Sequence, residues 1–157
     1  MTHDIKRVRP NGRYKSGVIN PASCHKIFES QKGKPIIYRS SYEYDFICWL
    51  ERSPKVLRWG SECLGIPYEN LGDHTHHTYY PDYVIEMTDP EKGKYVLLVE
   101  VKPFKQTQRP DPCLPLDSYA WKEYIRNRSK WKAAQEFAQN NDAQFRIITE
   151  RTISRLN

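Results

Sequence analysis

Cysteine is scarce in this chain. The four residues, Cys24, Cys48, Cys63 and Cys113, are widely spaced and include no C-x-x-C pair. That spacing argues against a disulfide framework or a cysteine-rich zinc site and leaves free thiols as the expectation. Long apolar runs are missing too. No stretch approaches the roughly eighteen apolar residues of a membrane-spanning helix, and the first twenty residues lack the apolar centre of a secretory leader. No membrane contact and a cytosolic location are therefore expected. Internal repeats and low-complexity tracts are absent. Acidic residues are rare at the N-terminal end, where residues 1–35 hold only Asp4 and Glu29.

That last absence sets up what is present. Residues 1–35 carry eight basic side chains, so the whole net charge of +6 lies there and the rest of the chain balances to zero. Arg7, Arg9, Arg13 and Lys15, interleaved with Gly, Asn and Tyr, suit contacts to phosphates, which give sequence-independent affinity for nucleic acid. The division expected from charge is a basic arm over 1–35 and a folded domain over 36–157. The 157 residues, 38% apolar and 13% aromatic, fit one globular domain able to bury about two-thirds of its unfolded surface.

The pattern predicts a short strand at Ile36–Arg39 and a helix over Ser41–Arg52, stopped before Pro54. Short strands follow near Val56–Trp59 and Leu64–Tyr68, the second demoted to an edge by Pro67. Asn70–Thr78, polar and containing His74, His76 and His77, reads as a loop. Tyr79–Met87 reads as one strand, Thr88–Gly93 as a turn, and Tyr95–Val101 as a central apolar strand. Pro103–Pro115 reads as a loop. A helix capped by Asp117 or Ser118 runs to about Asn140, with a break near Asn127–Ser129, and Phe145–Thr149 is a last strand. This is an α/β chain with a mixed sheet flanked by helices.

A turn centred near Glu91 pairs residue i with residue 182 − i, which sets Asp82 opposite Glu100. Lys102 follows on the same face, roughly 7 Å along the strand. Two opposed carboxylates repel each other across a sheet. A divalent cation relieves that repulsion, and two carboxylates with water and phosphate oxygens are a usual Mg2+ environment. Such an ion activates water and polarises a phosphate, and a lysine beside it stabilises developing charge. These residue types at this spacing suit phosphodiester hydrolysis. The simpler reading is a surface hairpin with an Asp82–Lys102 ion pair. Glu43 falls within the apolar stripe of its helix, beside Phe46, Ile47 and Leu50, where a carboxylate needs a partner. Two readings stand for it: a capping box with Ser40, or a place at the metal site.

These residues resemble the PD-(D/E)xK nuclease superfamily. The likeness spans Tyr38 to about Glu150 and rests on Arg39-Ser40 with Glu43, Trp59, Ile66-Pro67-Tyr68, Tyr80-Pro81-Asp82, Glu100-Val101-Lys102-Pro103 and Trp131-Lys132-Ala133-Ala134. In detail it looks like the branch of TnsA-type transposon endonucleases, and closer still to the head-completion nucleases of tailed phages, whose openings Pro10–Gly17 also resembles. The resemblance implies a restriction-endonuclease-like α-β-β-β-α-β core. It implies Mg2+, for which Mn2+ can substitute, and a site of Glu43, Asp82, Glu100 and Lys102, with the Val101 carbonyl as a further metal ligand. DNA is the implied substrate, with phage portal or neck proteins as partners and the host cytoplasm or the virion as the location; the oligomeric state, monomer or homodimer, is left open. Relatives also carry a Lys or Gln on the helix after the E-x-K strand, for which Lys130, Lys132 and Gln135 are equal candidates. The alternative function is a head or neck completion protein that binds DNA or portal without cutting.

Other features carry less. The histidine cluster lacks the ligand spacing of a zinc site. Trp49, Trp59, Trp121 and Trp131 are expected in the core rather than as stacking platforms. Arg126, Arg128, Lys130 and Lys132 fit either a DNA track or a solvated helix face. A sequence-specific regulator would need a recognition helix, and none is evident.

Overall fold

In the computed structural model, which describes residues 16–156, the chain opens with β1 (Gly17–Ile19), antiparallel to β2 (Ile36–Tyr38). Helix α1 (Ser41–Arg52) follows, then β3 (Val56–Ser61), β4 (Ile66–Asn70), β5 (Thr75–Tyr79), β6 (Tyr83–Asp89) and β7 (Gly93–Val101). A single turn, α2 (Phe104–Thr107), precedes α3 (Tyr119–Asn140), β8 (Ala143–Ile148) and α4 (Glu150–Ile153). The main sheet has the order β3-β6-β7-β8, antiparallel except for the parallel β7–β8 pair. Taken in chain order, α1, β3, β6, β7, α3 and β8 make the α-β-β-β-α-β core of the restriction-endonuclease-like fold. The β4–β5 hairpin is an insertion within it.

Strand β7 is central and covered on both faces, so its last four residues are all buried. One face, with Val99 and Val101, joins Phe46, Ile47 and Leu50 of α1 and Trp59 and Ile85 of the sheet. The other, with Leu98, packs on Trp131, Ala134 and Ala138 of α3 and on Phe145. Period-two alternation sends neighbouring residues to opposite faces, which assigns Glu100 to the α3 side. Three of the four tryptophans are buried and Trp49 stacks on Phe46, as expected of core residues.

Local chemistry explains the helix ends. Ser40 caps α1, its Oγ accepting from the Glu43 N–H at 3.2 Å. At the other end Ser53 and Pro54 stop the helix, since proline lacks the donor a further turn needs. Ser118 caps α3.

Four expectations from the sequence are corrected here. Asn70–Thr78 is not a loop: Thr75–Tyr79 pairs with Ile66–Asn70. Only the tip, closed by Gly72 N–H to Asn70 Oδ1 and by His74 at φ 59, is a turn. Both strands are edges, which accommodates Pro67. Tyr79–Met87 is not one strand either. It breaks at Tyr80–Asp82, because Pro81 cannot donate to a ladder, so Tyr79 ends one sheet and Tyr83 begins another. Helix α3 is unbroken: Asn127 and Ser129 are buried, and Ser129 Oγ donates to the Ile125 carbonyl at 2.7 Å while accepting from Leu71 N–H at 3.0 Å. The last strand starts at Ala143, two residues early.

The cations Arg7, Arg9, Arg13 and Lys15 lie outside the described residues. From residue 17 onward, the segment assigned to the arm packs against the domain. Ile19 and Ile27 are in the core, and Phe28 N–H donates to the Trp59 carbonyl at 2.8 Å, covering the outer edge of β3.

The Ser129–Leu71 bond ties the inserted hairpin to α3. Replacing Ser129 with Ala should cost about 1 kcal/mol in urea unfolding. Hydrogen exchange should accelerate across residues 66–79 and stay unchanged across β6 and β7; equal acceleration in both would mean the hairpin is not separately tethered.

Candidate active site

Every pair from Tyr83↔Val99 to Asp89↔Gly93 obeys the predicted register. Carried one residue beyond β6, that frame brings Asp82 to the level of Glu100. The turn after the Tyr80-Pro81 break fixes Asp82 in place: its Oδ2 accepts from Val101 N–H at 2.8 Å, and its carbonyl accepts from Glu62 N–H at 3.0 Å. Glu100 is only 8% exposed. Its Oε2 accepts from the Tyr79 hydroxyl at 2.5 Å, and its Oε1 lies 3.7 Å from Lys102 Nζ. Lys102 stays in line because its own N–H donates to the Ile148 carbonyl at 2.9 Å. The hairpin thus brings Asp82, Glu100 and Lys102 together, as the spacing predicts.

Burial and mutual repulsion dominate the electrostatics. Desolvation first, then the charge of Glu100, hold the Asp82 carboxyl well above the usual range, against the opposing pull of Val101 N–H and Lys102. Burial also raises Glu100, while the Tyr79 hydroxyl, Lys102, Lys130 and a hydrogen bond from Asp82 pull it back. Both carboxyls are therefore harder to ionise than in water, as expected when like charges are buried close together. Tyr79 is pushed far above its ordinary range by burial and by Glu100, and remains a neutral donor.

For Glu43 the structure shows the capping role and a position near Asp82. It is a cap residue, its Oε2 accepting from Arg39 N–H at 3.1 Å, one position further back than in the standard capping box. It is also close enough to Asp82 to raise that carboxyl further, and burial raises Glu43 itself. Arg39 pairs with Glu62 at 2.5 Å and its charge reaches Glu43 and Asp82. Beside them the Tyr83 hydroxyl is buried, with no hydrogen-bond partner among the described residues.

Of the three helix candidates, Lys130 is the one beside the site. Its charge acts on Glu100, and its Nζ stands 5.8 Å from the centre of the Tyr79 ring. Lys132 is exposed and pairs with Glu136 at 3.9 Å, and Gln135 is exposed. Tyr79 and Glu62 were not picked out in the sequence. On a continuous strand Tyr79 and Asp82, three apart, face opposite ways; Pro81 was the signal that the strand must break there.

The Asp82 and Glu100 carboxyls are oxygen donors whose mutual proximity suits a hard divalent cation. Among the described residues no group of three or more His, Cys, Asp or Glu side chains is placed to hold a metal, the histidines of β5 included. Protein side chains would therefore supply only part of the coordination, as is usual where water and phosphate complete an Mg2+ shell.

Two comparisons with known proteins bear on the family. The family model for the TnsA-like endonuclease N terminal matches residues 53–150, which include Asp82, Glu100, Lys102 and Lys130. The head completion nuclease of Enterobacteria phage T4 is 36% identical over 124 residues, a match covering 74% of this chain and 80% of that protein.

A raised carboxyl pKa has a definite sign. Its favourable contribution is full below the unfolded-state value, near 4, and is lost as pH rises through the folded value. Asp82→Asn, which keeps an acceptor for Val101 N–H, should therefore stabilise the metal-free protein. The gain should be on the order of 1–3 kcal/mol at pH 8, about 2–4 °C in Tm per kcal/mol. At pH 4 it should shrink. Thermal melts in EDTA at both pH values test this, and a variant less stable at pH 8 would refute the buried-repulsion account.

Proposed function

Because the chain belongs to the TnsA-like endonuclease family, we propose that it is a metal-dependent nuclease that hydrolyses phosphodiester bonds in DNA. The observation that carries the proposal is geometric: Asp82, held by Val101 N–H, lies at the level of the buried Glu100, with Lys102 Nζ 3.7 Å from Glu100. Asp82 and Glu100 would hold Mg2+, or Mn2+ in its place, with the Val101 carbonyl as a further ligand and Glu43 in support. When bound, the ion would supply Lewis-acid activation of the phosphate and a more acidic water. The remaining work falls to side chains of this chain. Lys102, only 24% exposed, positions the attacking water and stabilises charge on the phosphate as it develops. Tyr79 fixes one oxygen of Glu100, so the carboxylate presents a single orientation. Arg7, Arg9, Arg13 and Lys15 would grip phosphates outside the site.

We further propose that the protein acts on DNA ends or at the portal vertex as filled phage heads are completed, with portal or neck proteins as partners, as a monomer or homodimer. The likeness to a head completion nuclease supports that setting. Among the described residues no helix is long and apolar enough to cross a membrane.

The test is incubation of purified protein with linear and circular DNA, with Mg2+ or EDTA, beside Glu100→Ala. Cleavage should require Mg2+ and fall at least a hundredfold in the variant, the scale expected when electrostatic stabilisation of a transition state is lost. Circular substrate separates endonuclease from exonuclease action. DNA binding without cleavage by the wild type on any substrate would favour a head-completion protein that binds but does not cut.

A further inference from the structure

Building on the nuclease reading above, we propose that one edge of α3, presenting Lys130, Arg126 and Lys122, is the track for the sugar–phosphate backbone of the cut DNA strand as it leaves the carboxylates. Residues four apart on a helix are separated by about 6 Å along the axis and drift by only about 40° around it. These three therefore form a single line of cations. The line begins at the site. Lys130 is half-buried, and among the described residues its ammonium makes no ion pair or hydrogen bond, only the 5.8 Å approach to the Tyr79 ring. Tyr79 in turn donates to Glu100, so this unpaired cation stands one side chain away from the proposed metal ligand.

Arg126 is the next rung. It is exposed, and its charge reaches the Tyr68 hydroxyl on the inserted hairpin. Its ion pair is with Glu123 on its own helix, a surface contact that a phosphate can replace at little cost. Lys122, exposed one turn further on, completes the row. Lys102 and Arg126 lie close enough to Lys130 to act on it, as do Glu100 and Glu123, so three cations stand together beside carboxyls that would otherwise repel a polyanion. The remaining cations of the helix serve as an internal control. Arg128 and Lys132 are also exposed, but helical geometry turns them roughly 120–160° away from Arg126, the middle of the row, and Lys132 pairs with Glu136.

The experiment is fluorescence anisotropy of the full chain in EDTA with short labelled single-stranded and duplex DNA. It compares Lys122→Gln/Arg126→Gln with Arg128→Gln/Lys132→Gln. Both pairs remove the same charge from exposed positions, and thermal melts verify folding. The track pair should weaken binding about tenfold or more and make the salt dependence shallower by roughly one to two counterions. The control pair should stay within about twofold. Equal loss in both pairs, or no loss in the track pair, would overturn the proposal. Cleavage by the wild type in Mg2+ is read separately: the binding pattern without cleavage would keep the track as a DNA-binding surface and reject the nuclease reading.

Discussion

Two carboxyl groups of like charge are forced together at the end of a buried hairpin, and most of the surrounding architecture answers that conflict. Asp82 takes the Val101 N–H and Glu100 takes the Tyr79 hydroxyl. Lys102 and Lys130 bring positive charge from the strand and from α3. These partners offset the burial only in part, and both carboxyls stay above their ordinary range. The leftover strain is electrostatic rather than steric, and a cation is the natural means of relieving it. Removing any one partner would shift the balance without removing the conflict, which is set by the register of the β6–β7 pair.

That register is held by features remote from the chemistry. The two cores on either face of β7 fix the strand's depth, and a one-residue slip would send every side chain to the opposite face. Glu100 would then point towards α1 and away from Tyr79 and Lys130. Stability is thus supplied by Trp59, Ile85, Leu98 and their neighbours, which allows the site to remain locally unfavourable. Separation of this kind is expected where function needs a strained or repulsive arrangement.

Much of this was legible in the sequence. The alternation of β6 and β7 and the turn chemistry near Glu91 gave the pairing of Asp82 with Glu100, and the apolar stripe of α1 gave the position of Glu43. What was not legible came from tertiary context. The polar, histidine-rich stretch after Asn70 looked like a loop because its exposed face is polar on both strands; only packing on α3 makes it a hairpin. Tyr79 was hidden by the same misreading. Spacing alone left Lys130, Lys132 and Gln135 equal, since choosing among them requires knowing which side of α3 meets β7. Asn127 and Ser129 looked like a helix break because polar residues usually avoid burial, whereas Ser129 has its partners in the hairpin tip.

The parallel pairing of β7 with β8 has a consequence for synthesis. The pair can close only after the whole of α3 has been made, and such non-local pairings form late and slowly. Lys102 is held in line by Ile148 across that pairing, while Glu43 comes from the first helix. Asp82 and Glu100 meet in a local hairpin, but Lys102 and Glu43 join them through contacts that are among the last to form. A nascent or partly folded chain would hold the individual side chains without their alignment, so hydrolytic competence would arrive together with complete folding. A nucleic-acid-cutting protein made among the transcripts and genomes of its own producer gains a safeguard from that order of events.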